Sequence, residues 1–270
     1  MPERTPITRR RLLKRFAAGA VALTAADLVV DSRWLEVVRQ SIRLPNWRGG
    51  NIRVGFLTDP HLNSEGAVSL ALEAVEQLRP EKLDLLLLGG DYLNHRHPLQ
   101  HARLTALAER VRSLDIPAAT VLGNHDFSSG QTGAIIQAFE RCDVRVLRNQ
   151  TVDFDGFQVH GYSDGLYGGF QAESLSRESS PHSTIAVLHE PDFVSEVPDH
   201  LSLQLSGHSH GGQMCLPFGI AVHTPLGARK YSAGYYEEAR VPLYVSRGTG
   251  TTGLPIRLFC RPEVTILEIS

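Results

Sequence analysis

Aspartate, asparagine and histidine gather in this chain in five short strings: Asp59-Pro60-His61, Gly90-Asp91, Gly123-Asn124-His125-Asp126, His189-Glu190 and Gly207-His208-Ser209-His210. Carboxylate and amide oxygens together with imidazole nitrogens are the donors that hard to borderline divalent metals prefer. Four of the strings directly follow short apolar runs, at residues 52–57, 83–88, 118–122 and 184–188, each of which reads as a buried strand. The fifth follows residues 201–205, apolar at alternate positions. In open α/β sheets ligands collect outside the carboxyl ends of the strands. Donors far apart along the chain can therefore meet at one point and form a metal-dependent active site.

The elements that must position them are legible in outline. Residues 34–44 read as a strand, because Val37, Val38 and Ile42 are β-branched and the run is short. Ala67, Val68, Ala71, Leu72, Val75 and Leu78 recur at helical spacing, and Pro80 ends that helix. Residues 99–114 and 133–141 are also helical in period. Strand, motif and helix thus alternate three times, which implies parallel strands joined by right-handed crossovers. Beyond Val144 the signals turn to strand, at 144–147, 151–162, 184–188, 201–205, 220–223, 241–246 and 264–269, with few helix signals between. Two packed sheets with helices outside suit both halves.

The 270 residues are 42% hydrophobic and 21% charged, which supports a folded chain with a sizeable core rather than a disordered one. Residues 1–26 hold Arg4, Arg9, Arg10, Arg11, Lys14 and Arg15 against Glu3 alone, so the rest of the chain is more acidic than the formal net charge of -2. An acidic body argues against nonspecific nucleic-acid binding. Cys142, Cys215 and Cys260 are odd in number and widely spaced, and read as packed thiols rather than a disulfide framework.

The amino terminus reads as an address. Residues 8–14, Thr-Arg-Arg-Arg-Leu-Leu-Lys, precede the Ala-rich apolar stretch 16–26. A basic region before an apolar one marks a signal segment, and the paired arginines point to the twin-arginine translocase as a partner. The expected location is the periplasm or the outer face of the cytoplasmic membrane. Residues 27–50 then form a linker and first strand, and 51–270 the catalytic domain.

In order and spacing the five strings resemble the calcineurin-like metallophosphoesterase superfamily. His208-Ser209-His210-Gly211-Gly212-Gln213, Leu243-Tyr244-Val245-Ser246-Arg247-Gly248 and Arg261-Pro262-Glu263-Val264-Thr265 are similar to its bacterial phosphodiesterase branch, whose members are often exported by the twin-arginine route. The resemblance implies a four-layer α/β/β/α sandwich of two mixed sheets flanked by helices. It also implies two divalent metal ions, with Mn²⁺ expected and Fe or Zn²⁺ fitting the same donors. Asp59, His61, Asp91 and His210 would hold one ion, Asp91, Asn124, His189 and His208 the other, and Asp91 would bridge them. A hydroxide shared by the metals would attack phosphorus, with His125 assisting the leaving group, while Asp126 would shape the loop. The substrate would be a phosphodiester carried by a lipid or a nucleotide, and the enzyme a monomer. Hydrolysis of a nucleotide-linked sugar lipid at its pyrophosphate is the competing enzymatic reading, and a non-catalytic metal-binding scaffold the non-enzymatic one. Pro60, where relatives often carry an aliphatic residue, restricts Asp59 and bears on the aim of His61. Asp164 reads as a turn residue, Arg247 equally as a phosphate contact or an ion pair, and His95 and His97 as an exposed loop.

Overall fold

Convergence of the five strings requires strands that end on one edge, and the alternating signals before residue 141 deliver it for the first three. The structure is a computed structural model that describes residues 32–45, 47–94, 100–176 and 183–270. The strands in chain order are β1 (Glu36–Ile42), β2 (Ile52–Leu57), β3 (Leu85–Leu88), β4 (Ala118–Thr120), β5 (Arg145–Val146), β6 (Gln150–Phe154) and β7 (Phe157–Gly161). They continue with β8 (Ser183–Val187), β9 (Leu203–Ser206), β10 (Cys215–Leu216), β11 (Ile220–Ala221), β12 (Gly234–Tyr236), β13 (Leu243–Val245) and β14 (Glu263–Ile269). The first sheet has the order β1-β14-β2-β3-β4-β5 and the second β12-β13-β9-β8-β7-β6, while β10 and β11 pair only with each other. From β2 to β5 the neighbours are parallel, as are β7, β8, β9 and β13.

The helices are α1 (Glu65–Leu78), α2 (Gln100–Arg112), α3 (Asn124–Ser128) and α4 (Thr132–Glu140). The start of α1 is set by Ser64, whose Oγ accepts the Ala67 N–H at 3.2 Å. The helix gives way at Arg79 to a short 3₁₀ turn containing Pro80. Its face of Val68, Ala71, Ala74, Val75 and Leu78 is buried against the first sheet together with α2 and α4. Between the sheets, Phe56, Leu85 and Leu87 of the first meet Val159, Ile185 and Leu203 of the second. The outer face of the second sheet is covered by 3₁₀ turns and loops, through Val194, Val197 and Tyr231. The expected sandwich of two mixed sheets with flanking helices is thus the fold, with its α-helices among the described residues gathered over the first sheet.

Two details differ from the sequence pattern. The run 151–162 is a hairpin, β6 and β7, reversing at Gly156 with φ +83°, because a left-handed turn glycine outweighs continuous β propensity. Residues 220–223 yield only the two-residue β11. Residues 1–26, His95, His97 and His182 lie outside the described residues. No helix among the described residues is long and apolar enough to cross a membrane.

Leu87 is wholly buried between the sheets. Leu87→Ala should lower unfolding stability by about 2–5 kcal/mol, read from the urea midpoint at unchanged m-value; a change within about 0.5 kcal/mol would mean that the sheets do not pack on this side chain.

Candidate metal centre

Asp59 lies two residues after β2, Asp91 three after β3, Asn124 opens α3 after β4, His189 lies two after β8 and His208 two after β9. The carboxyl ends of both sheets therefore deliver donors to one cleft. The loops are tied to each other: the Asp59 N–H donates to Gly90 O at 3.0 Å, and the His61 N–H to Asp91 O at 3.1 Å. Asp59, His61, Asp91, His208 and His210 all have positive φ, between 40° and 67°. Left-handed backbone at a non-glycine residue costs on the order of 1 kcal/mol or more, and Asp and His tolerate it better than most. Pro60 does not misdirect His61, whose Nε2 reaches to 3.6 Å from Asp91 Oδ2, although Asp59 before the proline is left-handed rather than in the extended region a following proline favours.

Two groups of buried ligand atoms result. Asp59, His61 and His210 form one, Asp91, His189 and His208 the other, and within each group the ligand atoms lie within 4.8 Å of one another. Asp91 stands between them: its Oδ2 is 3.6 Å from His61 Nε2 and 3.2 Å from His189 Nε2. Asp59 Oδ1 lies 3.6 Å from His210 Nε2 and 3.9 Å from His189 Nε2. The nitrogens are aimed by their opposite ring edges. His189 Nδ1 is 2.7 Å from Gly89 O, and His208 Nε2 is 2.8 Å from Leu226 O, so each ring donates outward and turns a lone pair inward.

The donor set fits a pair of cations. His61 Nε2 and His210 Nε2 approach to 3.0 Å on stacked rings. Asn124 Oδ1 is buried with no hydrogen-bond partner. Burial pulls the His61 and His208 imidazoles down to about 4, and burial with His61 and Arg257 alongside takes His210 well below the ordinary histidine value. These rings are neutral at neutral pH, with lone pairs free for a metal. Burial also opposes charge on His189, but the Asp91, Asp59 and Glu190 carboxylates outweigh it and raise its pKa well above normal. The same anionic field would draw in a metal ion. Asp91 resists burial and remains ionised because of the histidines around it. Burial above all raises the Asp59 carboxyl to about 6, with His189 opposing and the Asp91 charge adding.

A supporting layer fixes this arrangement. Asp126 Oδ2 accepts the Asp91 and Gly123 N–H groups at 2.8 and 3.0 Å, and Oδ1 those of Tyr92 and Leu93 at 2.8 and 3.1 Å. It thus shapes the loop, as the sequence suggested. A Cβ at Gly123 would strike Asp91 Oδ1, and one at Gly207 would strike Asp59 Oδ2, so the motif glycines admit the carboxylates. His125, half-buried, donates its N–H to Asp91 Oδ1 at 2.9 Å and sets its ring edge-on to His61 at 5.2 Å. Asp164 is the turn residue expected, its Oδ1 accepting the N–H groups of Leu166, Tyr167 and Gly168. Arg247 is an ion-pair residue, bound to Glu263 at 2.5 Å and Glu36 at 3.0 Å. Sequence reasoning missed Arg257. Fully buried, its guanidinium reaches the carbonyls of His210, Arg247, Gly248, Gly250 and Cys260, and so holds the His210 loop. It follows no strand and sits in no string, so only its position in the fold reveals it.

Residues 52–212 match the family described as calcineurin-like phosphoesterase. The chain is 31% identical to the uncharacterized metallophosphoesterase YkuE of Bacillus subtilis over 97% of this chain and 98% of that protein. It is 29% identical to phosphodiesterase YaeI of Escherichia coli, over 97% and 99% respectively. Among solved structures, TT1561 of Thermus thermophilus superposes with a TM-score of 0.53 at 12% identity, over 73% of this chain and 90% of that one. A dimetal phosphatase from Danio rerio gives 0.50 at 10% identity, over 73% and 88%. The two structures share the fold of this chain.

Removing the shared anion should uncouple the two groups. Calorimetric titration of the chelator-stripped protein with Mn²⁺ should give two equivalents per chain for wild type and at most one for Asp91→Asn; two undiminished equivalents in the variant would rule out a bridging role. Asp126→Asn, which leaves every metal donor in place, should weaken metal affinity about 10–100-fold.

Proposed function

The chain belongs to the calcineurin-like phosphoesterase family, and from that premise we propose that it is a phosphodiesterase working with two divalent cations. Asp59, His61, Asp91 and His210 would hold one, and Asp91, Asn124, His189 and His208 the other. The observation that carries the reading is the position of Asp91 Oδ2 between His61 Nε2 and His189 Nε2, with a further buried histidine in each group. The diester preference draws support from the name of the YaeI relative, alike over nearly its whole length. The oxygen and nitrogen donors fit Mn²⁺, which we propose as the working metal.

When bound, such a cation pair neutralises charge on the phosphoryl oxygens and lowers the pKa of an attacking water towards neutrality. The residues of the chain do the rest. Asp91, between the two ligand groups, would hold both cations, while its Oδ1 accepts the His125 N–H. His125 stands outside both ligand groups beside His61. From there its ring would donate a proton to the departing alkoxide as the phosphorus–oxygen bond breaks. No side chain is required as a covalent nucleophile. The basic and apolar segment at residues 8–26 supports export through the twin-arginine translocase to the periplasm or the outer membrane face.

The Mn²⁺-loaded protein should hydrolyse bis(p-nitrophenyl) phosphate, and His125→Ala should lower kcat about 10²–10⁴-fold with two metal equivalents retained. A wild-type rate equal to those of Asp91→Asn and His208→Ala would leave a non-catalytic scaffold. In the native host, cell fractionation should find the protein outside the cytoplasm with Mn²⁺ as its main metal by elemental analysis; a cytosolic protein would defeat the export reading, and iron or zinc the choice of metal.

A further inference from the structure

Two of the three cysteines meet behind the His210 turn, outside the ligand set. Cys215 opens β10, and Cys260 lies between Arg257 and β14. Both are 2% exposed and both are free thiols. The Cys215 N–H donates to Leu258 O at 2.9 Å, and Met214 pairs with Leu258, so the two backbones run side by side. Cys215 Sγ lies 3.1 Å from Gly211 O and Cys260 Sγ 3.2 Å from His210 O, consecutive carbonyls of one turn. The two thiols are within hydrogen-bonding reach of each other. A Cβ on Gly211 would come within 2.7 Å of Cys260 Sγ, so the turn rests directly on that sulfur. Cys142 belongs instead to the core under the helices of the first sheet.

The turn that the sulfurs touch carries a metal donor. His210 and Gly211 are both left-handed, with φ 50° and 61°. Hydrogen bonds hold this turn to the segment behind it, Arg257 reaching the His210 and Cys260 carbonyls at 3.3 Å each. A disulfide requires neighbouring backbones, which the bond from Cys215 to Leu258 supplies. We propose that Cys215 and Cys260 are an oxidation site: joined as a disulfide, they clasp the His210 turn to residues 257–260 and keep its imidazole at the candidate metal centre. The effect on metal rests on the two-cation reading, whereas the sulfur–sulfur bond does not. The oxidant is hydrogen peroxide. One sulfur attacks a peroxide oxygen, the O–O bond breaks, and a sulfenic acid forms while hydroxide leaves and takes up the thiol proton as water. The second sulfur attacks the sulfenic sulfur, the S–O bond breaks, and that oxygen leaves as water with the second thiol proton. Two thiols thus give two electrons to one peroxide, and two waters depart. Peroxide reaches the pair by local opening, since β10 and β11 pair only with each other and their Leu216 and Ile220 side chains are exposed.

The test treats the full chain with hydrogen peroxide, alkylates it and maps its thiols by mass spectrometry. The peptides holding Cys215 and Cys260 should be found joined, two hydrogens lighter than their sum, with Cys142 alkylated. The oxidised protein should unfold about 5 °C or more above the reduced one. It should also release Mn²⁺ to excess chelator about tenfold more slowly, and dithiothreitol should reverse both changes. Cys215→Ser should keep hydrolysis of bis(p-nitrophenyl) phosphate and show neither change. Thiols still free after treatment, a crosslink through Cys142, or Cys260 carried to the sulfinic acid without a crosslink would overturn the site. A crosslinked protein that binds two Mn²⁺ and releases them at the reduced rate would overturn the clasp. A crosslinked, thermally stabilised protein that binds no Mn²⁺ would uphold the oxidation site while the two-cation reading fell.

Discussion

Two buried carboxylates, Asp59 and Asp91, face one space, and among the described residues neither forms an ion pair with arginine or lysine. Like charges held close, at the effective dielectric of a protein interior, repel by on the order of a few kcal/mol. Four histidines converge on the same space, three of them kept neutral by burial. Such a pocket is costly to fold unless cations settle it. Most of the surrounding architecture makes sense as a means of holding these groups together despite that cost.

The holding is done by backbone as much as by side chains. Five donor residues adopt left-handed φ values. Inter-loop bonds such as Asp59 N–H to Gly90 O tie the loops after β2 and β3 of the first sheet to each other. Asp126 directs both of its oxygens to four backbone N–H groups around Asp91, and Arg257 does the complementary task for the carbonyls behind His210. One anchor accepts from backbone N–H groups and the other donates to backbone carbonyls.

The donors were legible because each string follows an apolar run, and periodicity, with β-branched content at residues 34–44, separated strands from helices up to residue 141. The parallel order of β2 to β5 follows from that alternation. The placement of β14 between β1 and β2 does not, since it pairs the last strand with the second across most of the chain, and local pattern carries no information about such pairing. The β6–β7 hairpin carried a local signal, Asp155-Gly156, that the strand character on either side outweighed in the reading of residues 151–162 as one run. Arg257 and the carbonyls of Gly89 and Leu226 were invisible for a related reason. Their roles depend on which loop lies beside them, and a backbone oxygen has no sequence signature. Gly123 and Gly207 were visible as motif letters, but their reason, room for Asp91 and Asp59 oxygens, required coordinates.

The most direct test of the central claim is anomalous X-ray scattering from crystals of the protein grown with Mn²⁺. The account predicts two manganese peaks about 3.5–4 Å apart, with one oxygen of Asp91 in contact with both, Asp59 beside the first and Asn124 beside the second. A single peak, or two peaks with Asp91 touching only one, would contradict it.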